Sequence, residues 1–167
     1  LNAVCRIYLT VIRGTPAMIQ IMIMFFIIFV KARNGVPIAM LTFGINSGAY
    51  VAEIIRSGIM AVDKGQFEAG RSLGLNFAQT MLYIIIPQAL KNVLPALANE
   101  SIVLLKETSV ACYVGVTDLT KGGEIIRSIT YISALPLLAV ALIYLVIVMI
   151  LSFLVRMLER RLRNSER

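Results

Sequence analysis

Apolar residues along this chain gather into long runs separated by short polar breaks, and each long run predicts a helix able to cross a bilayer. Leu1 to Ile12 is apolar except for Asn2 and Arg6, and leads into Arg13-Gly14-Thr15-Pro16. Pro16 suits a first helical turn, where its missing N–H costs nothing, and Thr15 stands where it can cap that turn. The run from Ala17 to Val30 carries no charge and is bounded by Lys31 and Arg33. It is short for a crossing, but starting at Thr15 and letting Lys31 extend to the surface gives a first span over 15–31. Asn34-Gly35-Val36-Pro37 reads as a turn. The uncharged run from Asn34 to Ala52 then predicts a second span over 37–59, which carries Asn46, Ser47 and Glu53. An ionisable side chain at that depth is costly, so Glu53 should face the protein interior or a polar path. Arg56 follows three residues on, where it can neutralise Glu53.

Another uncharged run, Ser72 to Leu90, is interrupted by Gly74, Asn76, Gln79, Pro87 and Gln88. Its expected division is a short surface helix over 68–75, an apolar helix over 78–86 at the membrane boundary, and a third span over 88–105. That span holds Asn92, Pro95, Asn99 and Glu100, which predicts a buried or water-lined helix. Lys106-Glu107-Thr108-Ser109 closes it, and 110–127 reads as a short re-entrant or interfacial segment. From Ser128 to Val155 the chain is again without charge, the plainest span (129–155), followed by Arg156, Glu159, Arg160, Arg161 and Arg163. The pattern describes an all-α polytopic membrane protein: one transmembrane domain over 1–167, four spans, and a polar loop over 63–87.

Composition agrees, with 59% hydrophobic and 15% charged residues among 167. The net charge of +7 does not make a nucleic-acid binder, because the basic residues sit at the ends of apolar runs rather than on one solvated face. Two cysteines, Cys5 and Cys112, are too few and too far apart for a disulfide framework or a metal site. With no histidine, imidazole ligands and imidazole acid–base catalysis are excluded. No Gly-x-x-x-x-Gly-Lys-Ser/Thr loop is present to hold a nucleotide phosphate, no covalent chemistry is apparent, and no cofactor is expected. If the N-terminal end, the 63–87 loop and the C-terminus share one side, that side collects eleven basic residues: Arg6, Arg13, Arg56, Lys64, Arg71, Lys91, Arg156, Arg160, Arg161, Arg163 and Arg167. Five (Lys31, Arg33, Lys106, Lys121 and Arg127) fall on the other. The imbalance puts the loop and the C-terminus in the cytoplasm. The initial Leu suggests a missing N-terminal segment.

The loop carries Glu68-Ala69-Gly70, then Gly74 after three residues, then Ile84-Ile85-Ile86-Pro87 after nine more. This resembles the Glu-Ala-Ala, Gly, Ile-x-Leu-Pro signature of the membrane subunits of ATP-binding-cassette (ABC) importers. Gly70 stands in place of the second Ala and Ile86 in place of Leu. The flanking pieces Arg13–Pro16, Ser47–Glu53, Asp63–Ala69, Pro87–Leu90 and Leu105–Ser109 look like the polar-amino-acid branch of that family, and the resemblance covers essentially the whole chain. It implies a type I importer-like helical bundle with a coupling helix in the 63–87 loop. It also implies a cytoplasmic ABC ATPase dimer as motor, a second permease subunit (identical or not), and an extracytoplasmic amino-acid-binding protein.

The residues expected to couple to the ATPase are Gly65, Gln66, Glu68, Ala69, Gly70, Leu73, Gly74, Leu75 and Pro87. Glu68 complements the helix dipole, Ala69 and Gly70 allow close approach, and Leu73 and Leu75 supply apolar contact. Gly74 permits a sharp exit that a side chain would block. Asn46, Glu53, Asn99, Glu100, Lys106, Thr108 and Ser109 are candidates for a substrate path. Against each stands a plainer role: Glu53 bracing Arg56, Asn99 and Glu100 bonding between helices, and Lys106, Thr108 and Ser109 capping a helix. Two alternatives to the importer are an ion-coupled carrier, which usually shows repeated halves that are not visible here, and a membrane scaffold that recruits a cytoplasmic partner.

Overall fold

The computed structural model describes residues 2–164, and all regular structure among them is helical. The helices are α1 (Asn2–Gly14), α2 (Ala17–Ile23), α3 (Gly35–Met60), α4 (Gly65–Ser72), α5 (Phe77–Thr80), α6 (Ile86–Glu107), α7 (Leu119–Thr130) and α8 (Ala134–Asn164). A π-helical turn, Met24–Ile28, prolongs α2; another, Met81–Ile85, joins α5 to α6; a 3-10 helix, Thr108–Val114, prolongs α6. Arg167, counted above among the basic residues of one side, lies outside the described residues.

Among the described residues, three helical stretches are long and apolar enough to cross a membrane: Gly35–Met60, Phe77–Val114 and Ala134–Arg161. A helix of 26 residues such as α3 is about 39 Å long at 1.5 Å per residue, more than the roughly 30 Å of bilayer hydrocarbon. The α8 window has a mean hydropathy of 3.1 and none of it is buried. Counting α1 and α2 as one bent pair would give a fourth, but its halves meet at 105°. The first expected span, 15–31, therefore takes the form of a short helix and π turn beyond a sharp corner.

Thr15 does not cap that turn as expected. Pro16 is itself the N-cap residue and no side chain caps the turn. Thr15 instead donates its hydroxyl to the Val11 carbonyl at 2.9 Å. Preceding a proline, Thr15 is kept out of the helical region, which sets it at the corner rather than over the turn.

The expected break around Pro87 is absent, because the helix runs on from Phe77. The Met81–Ile85 turn bonds five residues apart, with Ile86 N–H reaching the Met81 carbonyl. Pro87 has no N–H to lose there, and the wider turn relieves the clash its ring makes with a carbonyl one turn back. Pro87 and Gln88 read as punctuation, whereas the backbone absorbs them.

The chain divides into two compact units. One comprises residues 1–49 and 101–151. Its core is Ile21, Ala39, Phe43, Ala111 and Val114, packed by Phe25, Leu104 and Val110. The segment expected to be re-entrant or interfacial over 110–127 thus splits, its first part entering this core as a 3-10 helix and its second forming α7. Asp118 caps α7 by accepting from Lys121 N–H at 2.8 Å. Gly123 of α7 lets α8 approach, since a Cβ there would stand 2.5 Å from Val140 Cγ2.

The other unit comprises residues 50–100 and 152–167. Its core is Val62, Ile85 and Ala89, with Ile59, Phe67, Met81 and Ile84 against them. Here the end of α3 lies directly on the start of α6: a Cβ on Gly58 would collide with the Val93 side chain.

Candidate functional site

The segment singled out by the motif is a helix held between two tight corners. α4 begins at Gly65, three residues before the expected start, because Asp63 Oδ1 accepts from Gly65 N–H at 2.6 Å and orders the entry. It ends at Ser72, not Leu75. Leu75 N–H bonds the Gly70 carbonyl at 3.1 Å and Gly74 N–H bonds the Arg71 carbonyl at 2.9 Å. These are the paired bonds of a Schellman motif, with Gly74 at the left-handed position, φ +78°. The need for glycine there is backbone conformation. Nothing lies within 4 Å of a Cβ built on Gly74, so the expected steric block is not its reason.

Two residues on, Asn76 and Gln79 form a reciprocal capping box, Gln79 N–H to Asn76 Oδ1 at 2.9 Å and Asn76 N–H to Gln79 Oε1 at 3.0 Å. One helix is stopped and the next started within residues 73–76.

Three contacts brace α4 against the following helix. Gly70 is buried against Thr80, whose methyl would stand 2.6 Å from a Cβ at position 70. The close approach that Gly70 allows is therefore internal, not to a partner. Gln88 Nε2 donates to Gln66 Oε1 at 3.2 Å. Phe67, half-buried, packs on the Val62–Ile85–Ala89 core.

The remaining residues of the motif face outward. Glu68, Ala69, Arg71, Gly74 and Gly65 are exposed, whereas Leu75 is half-buried. Pro87, where the helix is already under way, is exposed between half-buried Ile86 and Gln88. Leu73 is 76% exposed and Phe77 68% exposed, an apolar pair at the exit of a charged helix. Glu68 lies in the first turn and Arg71 in the last, both favourable with the helix dipole.

The residues expected along a substrate path do not share one environment. Asn46 is buried and donates to Gln20 Oε1 at 2.8 Å. Gln20 in turn donates to the Ile12 carbonyl at 2.7 Å, the Thr15 carbonyl at 3.1 Å and Thr15 Oγ1 at 2.6 Å. This node satisfies carbonyls opened by the α1–α2 corner, and an apolar groove of about 240 Å³ lies beside it. Glu53 pairs with Arg56, whose Nε lies 3.1 Å from Oε2. Asn99 is exposed and Glu100 half-buried in α6. Lys106 and Thr108 lie at the end of α6 and the start of the 3-10 helix, where Thr108 donates to the Leu105 carbonyl at 2.7 Å, and Ser109 follows, half-buried.

Sequence reading missed Gln20 and Thr80. Gln20 carried a signal, as the one polar side chain in the 17–30 run and four residues after Pro16. Among the described residues no cluster of three or more His, Cys, Asp or Glu is placed to hold a metal.

Long apolar helices and polar side chains answered within them define a multi-pass membrane protein, with one short braced helix set between tight corners. Residues 1–164 match the family described as binding-protein-dependent transport system inner membrane component, and the chain belongs to that family. It is 41% identical to the glutamine transport system permease protein GlnP of Escherichia coli strain K12 over 167 residues, covering 97% of this chain and 76% of that protein. It is 38% identical to the arginine transport system permease protein ArtQ of Bacillus subtilis strain 168, covering 95% of this chain and 74% of that one. A crystal structure of an amino acid ABC transporter with histidines superposes with a TM-score of 0.87 at 47% identity, over 92% of this chain and 73% of its own. A chain of the MetNI methionine ABC transporter, at 22% identity and TM-score 0.74, shares the fold.

The protein is thus a multi-pass inner-membrane permease component of an ABC importer, in which ATP hydrolysis belongs to a separate subunit. Its partners include that ATPase and a binding protein. The carrier and scaffold alternatives fall away.

Proposed function

We propose that this permease imports polar amino acids, and that α4 with its exit residues is the surface on which the cytoplasmic ATPase docks. The substrate class rests on likeness to relatives named for glutamine and arginine transport. The docking role rests on one observation above others. α4 is locked to its own neighbours by Gly70–Thr80, Gln66–Gln88 and Phe67, yet leaves Leu73 and Phe77 uncovered. A helix braced behind and apolar in front suits transmission of a push as a rigid body.

In this reading Gly65 and Gly74 set the two corners, and Gln66 and Gly70 brace the helix. Glu68, Ala69, Leu73 and Leu75 meet the partner, and Pro87 marks where the following helix enters its long course. A second permease subunit completes the path, and both the loop and the C-terminus are cytoplasmic. Asn99, Glu100, Lys106, Thr108 and Ser109 line the path; Asn46 and Glu53, each holding a partner in the chain, shape it.

The test uses the full-length permease complex with its ATPase in lipid nanodiscs, supplied with binding protein loaded with each amino acid in turn. ATP hydrolysis is expected to rise with a polar amino acid. The Leu73→Asp variant, altered at a largely exposed side chain, should insert and assemble normally but lose most of that stimulation. Full stimulation in the variant would remove Leu73 from the docking surface. Stimulation by an apolar amino acid alone would overturn the substrate class.

A further inference from the structure

Helix α1 presents three unlike faces. Arg6, Thr10 and Arg13 recur at helical spacing along one. Val4, Ile7 and Val11 recur along a second and are 69%, 64% and 54% exposed. The third, with Leu9 and Ile12, is half-buried against the protein, and from its edge the Tyr8 hydroxyl donates to the Ile45 carbonyl. Beyond Gly14 the chain turns by 105° into α2, and the Gln20 node holds the corner.

We propose that α1 is an in-plane helix of the membrane interface rather than the first half of a bent span. Val4, Ile7 and Val11 would lie at the boundary between acyl chains and headgroups, and Arg6 would meet the phosphates of anionic lipid. Charge distribution separates the two geometries. The stretch from Ala17 to Val30 carries no charge and suits hydrocarbon, whereas a spanning α1 would carry a costly arginine into it.

In the plane, each face meets its own medium. Arg6 and Thr10 meet water and phosphate, the valines and isoleucine meet lipid, and Leu9 and Ile12 meet protein. A helix that carries basic residues on one face and an exposed apolar stripe on another is the kind that settles at this depth. The near-right angle at the corner is what an in-plane helix beside an entering one requires.

The test is depth measurement by spin labels on the full-length permease complex, in nanodiscs of phosphatidylcholine with phosphatidylglycerol. Single cysteines replace Val4, Ile7, Thr10 and Val11 in a Cys5→Ser background; Cys112 is buried and stays in place. Collision with oxygen and with a water-soluble nickel complex reports depth. The expected result is one shallow depth for positions 4, 7 and 11, agreeing to within about two helical rises of 1.5 Å, with position 10 in water. At that rise per residue, a spanning α1 would instead spread positions 4 and 11 by about 10 Å in depth, which would overturn the proposal. Shielding of the three apolar positions from both reagents would mean that protein covers them, and would overturn it equally. Arg6→Gln, or omission of phosphatidylglycerol, should raise nickel access at position 7. Unchanged access in both would remove the phosphate contact and with it the proposal as stated.

Discussion

A methyl group added at position 70 would stand 2.6 Å from Thr80 Cγ2 and 2.8 Å from its hydroxyl, in a place where Thr80 is 2% exposed. The hydroxyl is already committed to the Asn76 carbonyl at 3.0 Å. Overpacking of this kind costs about 1–3 kcal/mol. Gly70→Ala alone should therefore lower the thermal unfolding temperature of the purified permease. In a Thr80→Ala background the nearest remaining side-chain atom is Cβ at 3.2 Å, and most of the cost should vanish, a coupling that a double-mutant cycle would read directly. Equal losses in both backgrounds would break the pairing. Gly70 stands where the resembled motif has its second alanine, and the structure supplies a local reason for the smaller residue. The sequence displayed Gly70 but not that reason. Thr80 lies ten positions on, and only the reversal of the chain at 73–76 sets it against α4.

The corner between α1 and α2 shows how an element can depend on one amide. Gln20 faces three acceptors with its nitrogen and one donor with its oxygen. Gln20→Leu keeps the volume but leaves the Ile12 and Thr15 carbonyls and the Asn46 amide without this partner. A buried polar group left unsatisfied costs about 1–3 kcal/mol, and hydrogen bonds between membrane helices measure lower, about 0.6 kcal/mol on average. A net loss of about 1–2 kcal/mol is expected, read as reduced unfolding temperature with insertion unchanged. No change would mean that water replaces the glutamine. Element types were legible from the apolar runs and their charged ends, whereas the junctions were not. Pro87 and Gln88 are composed like a break, but a π turn carries the helix through them, whereas Asn76 and Gln79 do mark one, as the capping box that starts the next helix. Sequence shows which residues can end a helix; whether they do depends on whether the freed backbone groups find new partners.

At the scale of the molecule, the all-helical membrane character was readable because hydrocarbon tolerates little else. The family was readable because the motif pieces fall at fixed spacing. The partition of polar residues between path and scaffold was not, since Asn46 looks the same in sequence whether it meets substrate or Gln20. The basic residues predict sidedness, eleven against five. Ser72 is exposed on α4, so Ser72→Cys in a Cys5→Ser background gives a clean reporter. A membrane-impermeant thiol reagent should label it in inverted vesicles and not in intact spheroplasts. Labelling from outside would reverse the orientation.

Residues 61–64 and 73–76 are all that connect α4 to the helices on either side of it. Long tethers take up displacement by changing their own shape, because closing or stretching a floppy segment is cheap. These tethers have almost no slack to give: one is pinned by Asp63, the other by a Schellman turn running straight into a capping box. A movement imposed on α4 therefore meets no dead travel. In the proposed docking role, a push on α4 would pass to the ends of α3 and α5 with little taken up in the connections.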